Sequence, residues 1–292
     1  MTLPAPILFF GIPGPFAAAP LAALLSAGAN VTAVFTPARE RQAAPLERVV
    51  PLPTAGASSL MAHAHQAQIP FFTVRDLGAE FQEWLPGLRP AVACVACWRR
   101  RIPPELLALP EHGFLNLHPS LLPDYRGPYP LFWALRDGRD ESGVTVHWMD
   151  EGLDSGDIAL QAPLPLPEGV GPAELDRAAG ELAGELLVEA LRRLAAGTLE
   201  RRPQPPGGSY QPAPGPADFV LHTDWSARRA FNFMRGTSDW GQPYPVQAGG
   251  ERVLLGQALG YEPAARLPAP LVRLDDRIRL QFSPGVLIAT TA

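Results

Sequence analysis

From its first residues the chain alternates short apolar runs with stretches of helical periodicity. Ile7-Leu-Phe-Phe10 reads as a buried strand that stops at the turn Gly11-Ile-Pro-Gly-Pro15. The Ala- and Leu-rich stretch Phe16 to Ala27 then reads as a helix closed by Gly28. Val31 to Phe35 is a second apolar run, so the chain opens as a βαβ unit, the seed of a parallel sheet. The Pro- and Ala-rich stretch from Thr36 to Ala57 is expected to be loop. Beyond it, Phe71 to Val74 and Ala91 to Cys97 predict strands, and Ala79 to Leu85 and Pro104 to Leu109 predict helices. Phe114 to Leu117 and Val144 to Met149 add two more strands. To about residue 160 the pattern is that of an α/β fold with a doubly wound, mostly parallel sheet.

Leu175, Leu182, Leu186, Leu187, Ala190, Leu191 and Leu194 recur at helical spacing and predict one long amphipathic helix from Ala173 to Ala196, packed on the sheet. Six prolines and three glycines from Arg202 to Pro216 leave no room for a regular element there. The expected organisation is a catalytic domain at 1–201, a linker at 202–216 and a small β-rich C-terminal domain at 217–292. In the tail, Trp225 to Met234 reads as a helix, and Arg252 to Leu255, Leu271 to Leu274 and Ile278 to Phe282 read as strands.

Composition narrows the possible functions. The chain has 292 residues, 47% hydrophobic and 18% charged, which suits globular folding of two domains. Met1 to Phe10 holds no basic start or long apolar run, so no signal, no membrane partner and a cytoplasmic location are expected. Cys94 and Cys97 are the only cysteines and cannot build a disulfide framework. All 24 basic residues are arginine, which excludes a Schiff-base or P-loop lysine, and the net charge of −5 does not advertise nucleic-acid binding.

Candidate chemistry concentrates in Asn116-Leu-His118-Pro-Ser120-Leu121-Leu122-Pro123-Asp-Tyr-Arg126-Gly127 and in Gly143 to Asp157, which contains Gly152-Leu-Asp154-Ser-Gly-Asp157. Asn116 and His118 are two apart on a strand, so their side chains share a face at its end. The turn holding Asp154 can bring a carboxylate beside them. Amide, imidazole and carboxylate together suit acyl transfer, with donors for an oxyanion and a group to move protons.

On these residues the chain from Ile7 to about Ala196 resembles the 10-formyltetrahydrofolate-dependent formyltransferases, most of all the methionyl-tRNA branch. The Asn-x-His-x-Ser-Leu-Leu-Pro run and the later Asp-x-Gly-Asp turn carry the resemblance. It implies a Rossmann-like formyltransferase fold, Asn116, His118 and Asp154 as catalytic residues, 10-formyltetrahydrofolate as donor substrate and no metal. By the same resemblance Ser120, Leu121, Leu122, Pro123, Arg126 and Gly127 are expected around the folate or the acceptor. Arg99 and Arg101, at the end of a neighbouring strand, are expected to attract folate carboxylates or an acceptor phosphate.

Other readings compete. Gly11-Ile-Pro-Gly14 opens a βα turn but lacks the G-x-G-x-x-G spacing of dinucleotide oxidoreductases. A 10-formyltetrahydrofolate hydrolase would use the same three residues. Cys94 and Cys97 read as strand residues packed in the core rather than as a metal or redox pair, and His147 also reads as packing. For the acceptor, methionyl-tRNA competes with a small amine such as an amino sugar nucleotide. Thr36 to Gln42, which contains Arg39 and Arg41, mixes charge signs, and after Pro216 eight arginines face seven carboxylates.

Overall fold

The computed structural model describes residues 3–38, 46–49, 59–98, 100–274 and 277–292. Arg39, Arg41 and Arg99, and the parts of the expected loop at 39–45 and 50–58, lie outside the described residues. Two compact units emerge, both discontinuous in sequence. The first comprises Met1–Pro128, Gly143–Leu164 and Asp176–Tyr210, and the second comprises Tyr129–Ser142, Pro165–Leu175 and Gln211–Ala292.

The first unit is built on an eight-stranded sheet. Its strands are β1 (Ile7–Gly11), β2 (Val31–Pro37), β3 (Leu46–Val49), β4 (Phe71–Val74), β5 (Val92–Ala96), β6 (Phe114–His118), β7 (Glu141–Trp148) and β8 (Ile158–Pro165). Their order is β3-β4-β2-β1-β5-β6-β7-β8. β4, β2, β1, β5 and β6 run parallel, whereas β3 and β7 pair antiparallel with β4 and β6. The expected mostly parallel, doubly wound sheet is therefore present. The chain builds outward from β1 to β4 and then returns to β5 on the other side of β1. Ligands of such sheets bind beyond the carboxyl ends of the strands near this reversal, and β6 is the next strand over.

The sequence explains these elements. β1 and β5 are buried along their whole length, as continuous apolar runs in a central parallel sheet should be. Phe10 stacks on Phe35 with ring centroids 4.7 Å apart, and Phe81 and Trp98 meet Phe10 edge-on, so the core beside the strand ends is aromatic. Helices α1 (Pro15–Ser26), α2 (Leu60–Gln66), α3 (Ala79–Trp84) and α4 (Pro104–Leu107) connect the strands. α2 escaped the periodicity reading although Ser59 caps it, accepting the Ala62 N–H at 3.1 Å. β3 corrects part of the expected loop: Leu46–Val49 is a short edge strand whose pairing with β4 supplies its order. Cys97 is a further correction. It lies past the end of β5 at φ 58° and is exposed, while Cys94 is buried within the strand.

The second unit contains α5 (Pro130–Arg136), the N-terminal turn of α6 (Pro172–Ala195), and α7 (Ala227–Gly236). Its five-stranded sheet is made of β9 (Tyr244–Ala248), β10 (Glu251–Glu262), β11 (Leu271–Leu274), β12 (Arg277–Gln281) and β13 (Val286–Thr291), in the antiparallel order β11-β12-β13-β10-β9. β10 is much longer than the run Arg252 to Leu255 that announced it, and bulges interrupt its pairing with β13. Phe132, Phe219, Phe233 and Tyr244 form the aromatic core of this unit. Among the described residues no helix is long and apolar enough to cross a membrane.

Candidate active site

β6 places the first two groups. Leu115 and Leu117 are buried on one face, so Asn116 and His118 take the other at the carboxyl end of the strand. β7 runs antiparallel beside it, and its register sets His147 opposite Asn116 and Thr145 opposite His118. Residues directly opposite across an antiparallel pair point to the same face. That pairing brings His147 into the cluster, correcting its expected role as packing.

Asp154 closes the group from the loop after β7. Its Oδ1 lies 3.4 Å from Asn116 Nδ2 and 3.6 Å from both His118 Nδ1 and His147 Nε2, and its Oδ2 accepts the Gly127 N–H at 2.9 Å. The loop folds back on β7. Trp148 N–H donates to the Asp157 carbonyl at 2.9 Å, and a Cβ at Gly156 would collide with the Trp148 carbonyl, so only glycine fits there. Asp154 itself sits at φ 51°, a left-handed conformation disfavoured for a residue with a side chain.

Hydrogen bonds decide where the protons sit. A carbonyl can only accept, so His118 Nε2 carries the hydrogen it directs at the Tyr125 carbonyl, 2.9 Å away. In the neutral ring Nδ1 then presents a lone pair toward Asp154. His147 Nδ1 donates to the Trp148 carbonyl at 2.8 Å, so its Nε2 is free to accept the Asn116 amide N–H at 3.1 Å. Burial pushes the His118 pKa below the ordinary imidazole value, against the opposing pulls of Asp154 and the Tyr125 carbonyl. Burial alone would raise Asp154. When the ring nitrogens facing it carry protons, His118 and His147, together with the Gly127 N–H, outweigh it and hold the carboxyl well below the usual carboxylate range.

Most of the other expected site residues build the loop that carries Tyr125. Ser120 is fully buried, its hydroxyl donating to the Asp124 carbonyl at 2.6 Å and its carbonyl accepting from Thr145 Oγ1 at 2.7 Å. Leu122 is buried, with its N–H on Thr145 Oγ1 and its carbonyl on Gln161 Nε2. Leu121 packs where a side chain at Gly143 would have to stand. The Pro123 carbonyl accepts the Ser209 N–H at 3.2 Å. Arg126 directs Nε and Nη2 to Gln204 Oε1, at 3.1 and 2.6 Å. Arg101 is exposed beyond β5 and takes part in none of these bonds. Among the described residues no group of three or more His, Cys, Asp and Glu could hold a metal ion.

Sequence reasoning missed His147, Tyr125 and Gln204. The period-two pattern of β7 carries His147, but only the register with β6 reveals its neighbour. Tyr125 acts through its backbone, and Gln204 lies in a segment without periodicity.

Residues 7–191 match the family described as formyl transferase. A methionyl-tRNA formyltransferase from Pelotomaculum thermopropionicum is 37% identical over 236 residues, covering 80% of this chain and 72% of that protein. In structure, an N-formyltransferase from Helicobacter canadensis, solved with folinic acid and dTDP-3-aminofucose, superposes with a TM-score of 0.69 at 16% identity, covering 100% of this chain and 99% of that one. HypX from Aquifex aeolicus, in complex with tetrahydrofolic acid, gives a TM-score of 0.61 at 19% identity and covers 99% of this chain but only 44% of HypX.

Proposed function

The chain belongs to the formyl transferase family, and from that premise we propose that it moves the formyl group of 10-formyltetrahydrofolate to the primary amine of methionyl-tRNA, in the cytoplasm. The observation that carries the reading is the approach of Asp154 Oδ1 to Asn116 Nδ2 at 3.4 Å and to His118 Nδ1 at 3.6 Å, at the end of β6. The 37% identity to a methionyl-tRNA formyltransferase over most of the chain supports the choice of acceptor. That two proteins of similar fold were solved with folate compounds supports the donor.

The chemistry follows from the arrangement. The acceptor amine attacks the formyl carbon on N10 of the folate, and negative charge develops on the formyl oxygen. Asn116 Nδ2 has two hydrogens. The one held loosely by Asp154, at 3.4 Å, is released to the oxyanion, while the bond to His147 keeps the amide oriented. His118 Nδ1 takes the proton from the attacking amine. The imidazolium so formed lies between the Tyr125 carbonyl and the Asp154 carboxylate, and it adds a second donor beside Asn116. As the C–N10 bond breaks, the proton passes to N10 and tetrahydrofolate leaves.

A small phosphorylated amine is a second reading, favoured by one observation in the second unit. Arg228 pairs with Asp140 and Glu168, Arg273 with Glu251, and Arg279 with Glu262, which neutralises cations that a tRNA backbone would use. The test is to incubate pure protein with 10-formyltetrahydrofolate and either methionyl-tRNA or a dTDP-amino sugar. Formyl-methionyl-tRNA formed in step with tetrahydrofolate is the expected result. Tetrahydrofolate release with the amino sugar but none with methionyl-tRNA overturns the choice of acceptor.

A further inference from the structure

Two of the non-glycine residues held at left-handed φ belong to the active site, Tyr125 at 57° and Asp154 at 51°. One supplies the carbonyl that fixes the His118 tautomer, and the other supplies the carboxylate. Such backbones persist only where the surroundings hold them. Here both are held by one segment, the proline- and glycine-rich run Arg202 to Tyr210.

This segment lies bonded along the first unit. Arg202 and Ile158 exchange both backbone hydrogen bonds, at 3.0 and 2.8 Å, at the start of β8. Just before it, the Arg201 guanidinium stacks over the Trp148 ring at 4.4 Å. At the other end the Ser209 carbonyl accepts the Arg126 N–H at 2.9 Å, and Ser209 Oγ accepts the N–H of Tyr125 at 2.9 Å. A side chain at Gly208 would collide with the Pro123 carbonyl, and its φ of 83° suits glycine, so the segment closes directly onto the loop.

Gln204 lies between these ends. Its Nε2 donates to the carbonyls of Asp154 and Gly156, both at 2.8 Å, and its Oε1 accepts Nε and Nη2 of Arg126. An amide offers two donors and two acceptor positions, and here all four are used. One side chain thereby ties the loop of Tyr125 and Arg126 to the loop of Asp154.

We propose that Arg202–Tyr210 is a positioning strap for the two catalytic loops and that Gln204 is its central positioning residue, setting the Asp154 carboxylate against His118 for formyl transfer. The proposal rests on the formyl-transfer reading for its kinetic consequence but not for its spectroscopic one. Gln204→Met removes all four bonds without adding charge. Gln204→Glu keeps acceptors for Arg126 but turns a carboxylate on two carbonyls. Ser209→Ala removes the acceptor for Tyr125, and Ser209→Thr restores it.

The experiment measures formyl transfer by each variant and follows the His118 imidazole by NMR across pH, assigned with His118→Gln. Among the described residues, the charged and titratable groups facing His118 are Asp154 and His147. Expected for Gln204→Met is a fall in kcat of about tenfold or more, with the KM of both substrates within about twofold. Its His118 should titrate at lower pH because the carboxylate no longer faces it, and Gln204→Glu should lose kcat to a similar extent. Ser209→Ala should lose less, and Ser209→Thr should recover it. A folded Gln204→Met with unchanged kcat and an unmoved His118 titration overturns the proposal. If the Gln204 variants do not fold, unchanged kcat and titration in Ser209→Ala overturn it. Inactivity of the unaltered protein with every amine refutes formyl transfer instead, and the His118 titration of the variants then decides the strap by itself.

Discussion

Replacing Asp154 with Asn changes the charge of the site and almost nothing of its volume. The carboxylate stabilises the imidazolium that forms on His118 during the reaction, from 3.6 Å away. At an effective dielectric of about 20, two unit charges at that distance attract by roughly 4–5 kcal/mol. Water reaching the Asp154 side chain, which is 18% exposed, reduces this to about 3–4 kcal/mol. Asp154→Asn should therefore lower kcat by about 10²- to 10³-fold, since each 1.4 kcal/mol is a factor of ten. Two pH effects accompany the loss. Asp154 is one of the influences that raise the His118 pKa, so without it the acidic limb of the kcat/KM profile moves to lower pH while the plateau falls. The folded-state carboxyl is held below its unfolded value of about 3.9, so its contribution to stability is fully present above that pH and is lost as pH falls toward the folded value. The Tm difference between the unaltered protein and Asp154→Asn should be greatest near neutral pH and shrink below about pH 4. Steady-state kinetics over a pH series with calorimetry on the same samples checks all three. Retention of more than about a tenth of kcat/KM, a loss under roughly 1.4 kcal/mol, refutes the electrostatic argument, as does an unmoved acidic limb.

His147→Leu removes the acceptor that orients the Asn116 amide, a bond worth about 1 kcal/mol, so single-turnover formyl transfer should slow by about five- to tenfold with folate affinity unchanged. Phe10→Ala opens a cavity among Phe35, Phe81 and Trp98 in the core beneath the strand ends. It should destabilise the protein by about 3–5 kcal/mol, read as a lower urea midpoint, and a change under about 1 kcal/mol would place that core elsewhere.

Local patterns in the chain determined the succession of the parallel strands along the chain, the strand end bearing Asn116 and His118, and the turn bearing Asp154. Each depends on interactions between near neighbours in sequence. Continuous apolar runs fit strands covered on both faces, alternation puts residues two apart on one face, and Gly-Leu-Asp-Ser-Gly-Asp can hardly be anything but a turn. What tertiary structure decided was every partnership between distant segments. Leu46–Val49 is too polar to announce itself and is a strand only because β4 offers it an edge. His147 is a site residue only because the β6–β7 register sets it opposite Asn116, and a slip of one position would turn it to the other face. Cys97 leaves the core because the strand ends one residue earlier than its apolar run. Tyr125 works through a carbonyl, which no side-chain pattern records. Gln204 stands in a run whose composition speaks only of irregular backbone, and its four bonds join atoms 48 to 78 residues away in the chain. Hydrogen bonds of that span form when the fold has already brought the loops together, so the sequence around Gln204 carries no local trace of them.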